Sequence, residues 1–127
     1  MKKYNNTTVV IANAFSLSMI PEGDFTHTFS MDEVSLEDAR EIIDDAKAIK
    51  SCVGHADTAK IFSDMLGTEV VPNRVSYSLD PSKRTFGPSE VLLVGQYSGP
   101  RLPEGATVLP EGARIRWFLI DFFWEYI

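Results

Sequence analysis

An α/β fold, one domain with a mixed, roughly five-stranded sheet flanked by helices, is what this sequence predicts, and three observations carry the prediction. The chain has 127 residues, enough for one hydrophobic core and not two. Short β-branched or apolar runs are bounded by Gly, Pro and Asn, and two longer stretches between them repeat apolar residues at helical spacing. A hydrophobic share of 44%, with 11% aromatic residues, is that of a folded globule.

Each element follows in order. Thr7 to Ala12 (TTVVIA) reads as a short buried strand ending in the polar turn NAFS. Asp24 to Met31 alternates Phe25, His27 and Phe29 against Thr26, Thr28 and Ser30, the period of a half-exposed strand, and this register makes His27 structural. Ser35 with Asp38 resembles a capping box, and Leu36, Ala39, Ile43 and Ala46 extend a first helix over Leu36 to Ala48. Its acidic face (Glu37, Asp38, Glu41, Asp44, Asp45) is read as solvated surface. A second helix follows His55, with Asp57 or Thr58 as its cap, Ile61, Phe62, Met65 and Leu66 as its buried stripe, and Gly67 as its stop. Three strands are expected after it: Arg74 to Leu79, Glu90 to Tyr97 and Ile115 to Trp124. EVLLVGQY is apolar on both faces over its first half, as a central strand is. Between the last two strands, GPRLPEGATVLPEG is a loop dense in Pro and Gly, and Pro-Glu-Gly, found at Pro21, Pro103 and Pro110, is a turn signature.

Composition excludes several functions. No window reaches the roughly 20 apolar residues of a membrane span, and MKKYNNTTVV turns polar where a secretory signal turns apolar. A soluble, cytoplasmic protein with no membrane partner is expected, in the host cytoplasm if the chain is viral. Cys52 is the single cysteine, and with two histidines it supplies too few soft ligands for a structural zinc site, so no metal or other cofactor is expected. A net charge of −6 argues against adhesion to duplex DNA. The acidic excess lies in residues 1–72, with 12 acids and 6 bases, whereas residues 73–127 hold six of each, which leaves room for a local phosphate pocket. The chain has no Walker-type glycine run, dinucleotide fingerprint or serine elbow. His55, between Gly54 and a helix start, stands where an imidazole can donate a proton to a departing oxygen on a phosphate held by helix N–H groups. Taken alone, the position favours a structural or surface role, because most histidines do no catalysis.

ANAFS at Ala12 to Ser16, VGHADT at Val53 to Thr58, LGT then NRV between Leu66 and Val75, and GQYSGPRLPEG at Gly95 to Gly105 together make the chain resemble the ring nucleases of viral anti-CRISPR type. The four pieces keep the family's order over nearly the whole chain. The resemblance implies a homodimer that binds cyclic tetra-adenylate, the second messenger of type III CRISPR defence, and cleaves it without metal. It implies that His55 protonates the 5′ oxygen, that Arg101 sits at the scissile phosphate, and that Glu104 orients the ribose hydroxyl or the arginine. Asn13, Ser16, Thr58, Arg74 and Gln96 become substrate-contacting positions; the hairpin DPSKRTFGPS is an elaboration on the family pattern, with Lys83 and Arg84 at a tip that could reach over the ligand. Asp57 departs from the family, where a small hydroxyl residue is common, and so does Pro103, where a polar residue is usual. The alternative is a dimeric binding module that sequesters a cyclic oligonucleotide, or a protein partner, without turnover.

Overall fold

The computed structural model describes residues 4–20, 22–23, 28–75, 77 and 90–123. In chain order the elements are β1 (Thr8–Ala12), a 3₁₀ turn (Leu17–Met19), β2 (Thr28–Val34), α1 (Leu36–Asp45), β3 (Ala48–Ser51), α2 (Ala56–Leu66), β4 (Glu90–Ser98) and β5 (Arg114–Phe123). They form one five-stranded mixed sheet of order β2-β5-β4-β1-β3. β3, β1 and β4 run parallel, and β5 is antiparallel to both β4 and β2. The carboxyl ends of the three parallel strands therefore share one edge, where open α/β sheets place their ligands.

Alternation along the strands divides the apolar residues between two faces. Val9, Ile11, Val91, Leu93, Trp117 and Leu119 pack beneath both helices, which contribute Ala39, Ile42 and Ile43 from α1 and Ala59, Ile61, Phe62 and Leu66 from α2. The opposite face joins Val10, Ala12, Leu92, Val94 and Ile120, with Phe15, Met19, Cys52, Tyr77 and Phe118 partly buried against them. This double burial explains why the β1, β4 and β5 segments read as nearly unbroken apolar runs. At Gly95, on the helix side of β4, the Phe62 and Trp117 rings meet with centroids 4.9 Å apart.

Ser35 caps α1 as expected, its Oγ accepting from the Asp38 N–H at 3.0 Å. Gly67 stops α2 in the left-handed region at φ 71°. Several expectations are corrected. α1 ends at Asp45, not Ala48, because Ala46 turns extended and the Lys47 N–H donates to the Thr7 carbonyl, which starts the edge strand β3 alongside β1. Asp45 is not simple solvated surface either, since it accepts from the Tyr4 N–H at 2.7 Å. β2 runs on to Val34, directly into the α1 cap. Of the strand expected over Arg74 to Leu79, Arg74, Val75 and Tyr77 are irregular, and 76, 78 and 79 lie outside the described residues, as do His27, Lys83, Arg84 and Trp124. No helix among the described residues is long and apolar enough to cross a membrane.

Candidate functional site

Two connections leave the carboxyl edge of the sheet and meet above it. The first is the link from β3 to α2. The Cys52 N–H donates to the Ile11 carbonyl, which ties the start of this link to the end of β1, where half-buried Asn13 follows the strand. α2 begins at Ala56, so His55 is itself the N-cap residue, in place of the expected Asp57 or Thr58. Its backbone is extended (φ −125°, ψ 131°) and its imidazole makes no capping bond. The ring is thus exposed at a helix start whose first-turn amides have no side-chain cap from that residue, a geometry that favours anions. Thr58 lies half-buried in the same turn.

Residues 73 and 74 brace this link. Asn73 takes its N–H to the Val53 carbonyl at 2.7 Å and its side-chain amide to the Ser51 carbonyl at 2.9 Å. Arg74 donates Nε to the Gly54 carbonyl at 3.0 Å, next to His55 in the chain. These side-chain bonds fix 73–74 in place of the expected strand pairing.

The second connection is the 99–113 loop between β4 and β5. Its ends are pinched together at Gly99, where φ is 137° and an added Cβ would stand 2.7 Å from the Ala113 Cα. Loops of this size with touching ends are compact Ω-loops, packed by their own side chains. Leu102 and Leu109 dock on the helix-side core, and the Tyr97 hydroxyl donates to the Pro100 carbonyl. Both complete Pro-Glu-Gly sequences in the loop are turns, closed by Ala106 N–H to Pro103 O and by Ala113 N–H to Pro110 O, each 3.1 Å. Gly105 and Gly112 both have φ of 81°, the conformation a type II turn demands at its third residue.

The two connections are joined by one hydrogen bond. The Gly105 N–H donates to Asp57 Oδ2 at 2.9 Å, fastening the turn that carries Glu104, three residues beyond Arg101, to the first turn of α2. His55, Thr58 and Arg74 thus belong to one side of this junction, and Arg101 and Glu104, both exposed, to the other. The Asp57 tether was not visible in the sequence: its partner lies 48 positions away, and an Asp in a first helical turn reads locally as a cap.

Ser16 and Gln96 are placed differently. Ser16 is exposed and caps the 3₁₀ turn, its Oγ accepting from the Ser18 N–H at 3.2 Å, so its hydroxyl already serves the backbone. Phe15 and Met19 on either side of it pack on the face without helices. Gln96 is exposed and alternates with Leu92 and Val94, which places it on that same face, opposite Arg116 in the β4–β5 register. Arg116 makes a two-pronged pair with Glu33 (Nη2 to Oε1 2.6 Å, Nε to Oε2 3.1 Å) and lies over the Phe118 ring. The Arg116 hydrogen bonds hold the Glu33 carboxyl below its ordinary range. Cys52 is no nucleophile candidate, because burial pushes its thiol up and its Sγ–H points to the Ile11 carbonyl. An open groove of about 550 Å³ runs along α2 from Ala56 to Gly67, walled by Ala59, Lys60, Ser63 and Val70; within it Lys60 pairs with Asp64, and the Ser63 hydroxyl bonds to Ala59 and Val70.

A family model described as STIV B116-like matches residues 9–113. Among solved structures the chain is similar to B116 of Sulfolobus turreted icosahedral virus (STIV), with 23% identity and a TM-score of 0.68, over 89% of this chain and 97% of that one. No curated protein matches the chain by sequence.

Proposed function

The chain belongs to the STIV B116-like family, and from that membership we propose that it is a metal-independent ring nuclease, a homodimer that binds cyclic tetra-adenylate and cleaves it to linear di-adenylates. One observation carries the proposal. The hydrogen bond from Gly105 to Asp57 couples the loop of Arg101 and Glu104 to the helix start of His55, and these are the residues the ring-nuclease resemblance assigns to catalysis.

The chemistry needs no more than these groups. RNA carries its own nucleophile: as the 2′-OH gives its proton to solvent and its oxygen bonds to phosphorus, the P–O5′ bond breaks and the product ends in a 2′,3′-cyclic phosphate. His55 supplies the proton that O5′ takes up as it leaves. The Arg101 guanidinium offsets the charge that builds on the non-bridging oxygens, and Glu104 orients the arginine or the attacking hydroxyl. Helix N–H groups beside His55 hold the phosphate, and Arg74, braced on Gly54, adds positive charge beside them. A ring draped over the carboxyl edge would meet Asn13 at the end of β1, and Gln96 and Ser16 on the other face. A two-fold dimer presents this set twice to a four-nucleotide ring, so two histidines address opposite linkages.

The test is incubation with cyclic tetra-adenylate in EDTA. Linear di-adenylates are expected, and binding with the ring left intact would replace the enzyme by a sequestering module. His55→Ala should hold affinity within a few-fold while turnover drops about 10²–10⁴-fold, the usual contribution of a positioned acid. Unchanged turnover removes His55 from the mechanism.

A further inference from the structure

We propose that Asp57 is a positioning residue, whose carboxylate clamps the Pro103–Gly105 turn and thereby sets where Arg101 and Glu104 stand relative to His55. The geometry stands by itself, while its catalytic consequence rests on the ring-nuclease assignment above.

Three features carry the inference. First, the bond joins two elements that sequence separates by 48 positions, so it registers the loop on the helix instead of stabilising either alone. Second, the loop is otherwise held at its neck, Gly99 against Ala113, and along its inner side by Leu102 and Leu109. The outer corner, where Pro103, Glu104 and Gly105 are exposed, is the part Asp57 reaches. Third, the turn presents the Gly105 amide outward, because Ala106 N–H to Pro103 O closes it from within and leaves the Gly105 N–H free for the carboxylate. An ionised acceptor makes such a bond shorter and stronger than a neutral one. A carboxylate beside a phosphate site also repels the ligand, so a residue that merely filled this position would serve better uncharged. A clamp gives that charge a use. Because reacting groups must be held within a fraction of an ångström, loss of such a clamp lowers the rate more than the affinity.

The experiment compares the wild type, Asp57→Ala and Asp57→Asn in two measurements: amide exchange of Gly105 by NMR, and kcat and KM on cyclic tetra-adenylate. Asp57→Ala is expected to speed Gly105 exchange at least tenfold, with β4 and β5 amides unchanged, and to lower kcat about 10- to 100-fold with KM altered less than threefold. Asp57→Asn keeps an acceptor oxygen, but a neutral one, so Gly105 exchange and kcat are expected to move together to values between those of Asp57→Ala and the wild type. Unchanged Gly105 exchange in Asp57→Ala overturns the clamp whatever the activity. Faster exchange with unchanged kcat overturns its positioning role, and an Asn variant with Gly105 exchange restored to the wild-type rate but kcat as low as that of Asp57→Ala shows that charge acts instead of the clamp. If the wild type does not turn over cyclic tetra-adenylate, the ring-nuclease assignment falls, and the exchange comparison still decides whether Asp57 holds the loop.

Discussion

Gly95 opens the GQYSGPRLPEG stretch, yet its lack of a side chain answers to packing. A Cβ at this position would stand 2.5 Å from the Phe62 Cζ and 2.8 Å from Trp117 Cζ3, closer than real Cβ contacts come. Neither ring can yield, since Phe62 is 0% and Trp117 2% exposed. Gly95→Ala is therefore an overpacking change, which costs about 1–3 kcal/mol. It also recovers about 0.5–1 kcal/mol by limiting the unfolded chain. The net loss expected is about 1–2 kcal/mol. An unfolding entropy of about 2.1 cal/mol/K per residue makes each kcal/mol worth about 4 °C for a chain of this length, so Tm should fall by about 4–8 °C. Thermal unfolding followed by circular dichroism reads this directly. Phe62→Leu removes the crowding atoms, so the double variant Gly95→Ala/Phe62→Leu should be about 1 kcal/mol more stable than the sum of the singles predicts. A Tm for Gly95→Ala within about 2 °C of the wild type, or strict additivity in the double variant, would refute the packing account.

Two further substitutions probe stability away from the site. Ser35→Ala removes the acceptor for the Asp38 N–H and should cost about 1 kcal/mol, read as a lower urea midpoint with unchanged slope. Burial raises the Glu90 carboxyl above its ordinary value, and Lys50 at 3.9 Å pulls it back only in part. The folded chain then holds that proton more tightly than the unfolded one, so Glu90 costs stability as pH rises through the carboxylate range. Glu90→Gln should unfold at a higher temperature than the wild type at pH 7, with the difference vanishing near pH 4; equal melting at both pH values would show that the carboxylate is not strained by burial.

Legibility in the sequence followed burial. β1, β4 and β5 were evident because both their faces are covered, and α1 and α2 because their stripes face one core. β3 was hidden: Ala48–Ser51 is a four-residue edge strand whose pattern continues the helical stripe of α1, and its pairing with β1 depends on residues 40 positions away. Arg74 and Val75 misled in the opposite way, since a β-branched run predicts pairing while Asn73 and Arg74 spend their side chains on the β3–α2 link. Within the candidate site, His55 was legible as a lone imidazole at a helix boundary, and the turns around Glu104 as Pro-Glu-Gly. That these two features adjoin was not legible, because a tertiary hydrogen bond from a backbone amide leaves no residue-type signature at the donor.

The pinched neck at Gly99 and Ala113 turns the segment between them into an interchangeable cassette. Chain enters and leaves it at one point on the sheet, so residues can be added to or removed from its tip at a closure cost that grows only with the logarithm of length. Lengthening or shortening that tip leaves the neck, and with it the ends of β4 and β5, in place. What such a change alters is the spot on α2 where the tip lands, which makes the helix's opening turn the ruler against which the length of this tip is set.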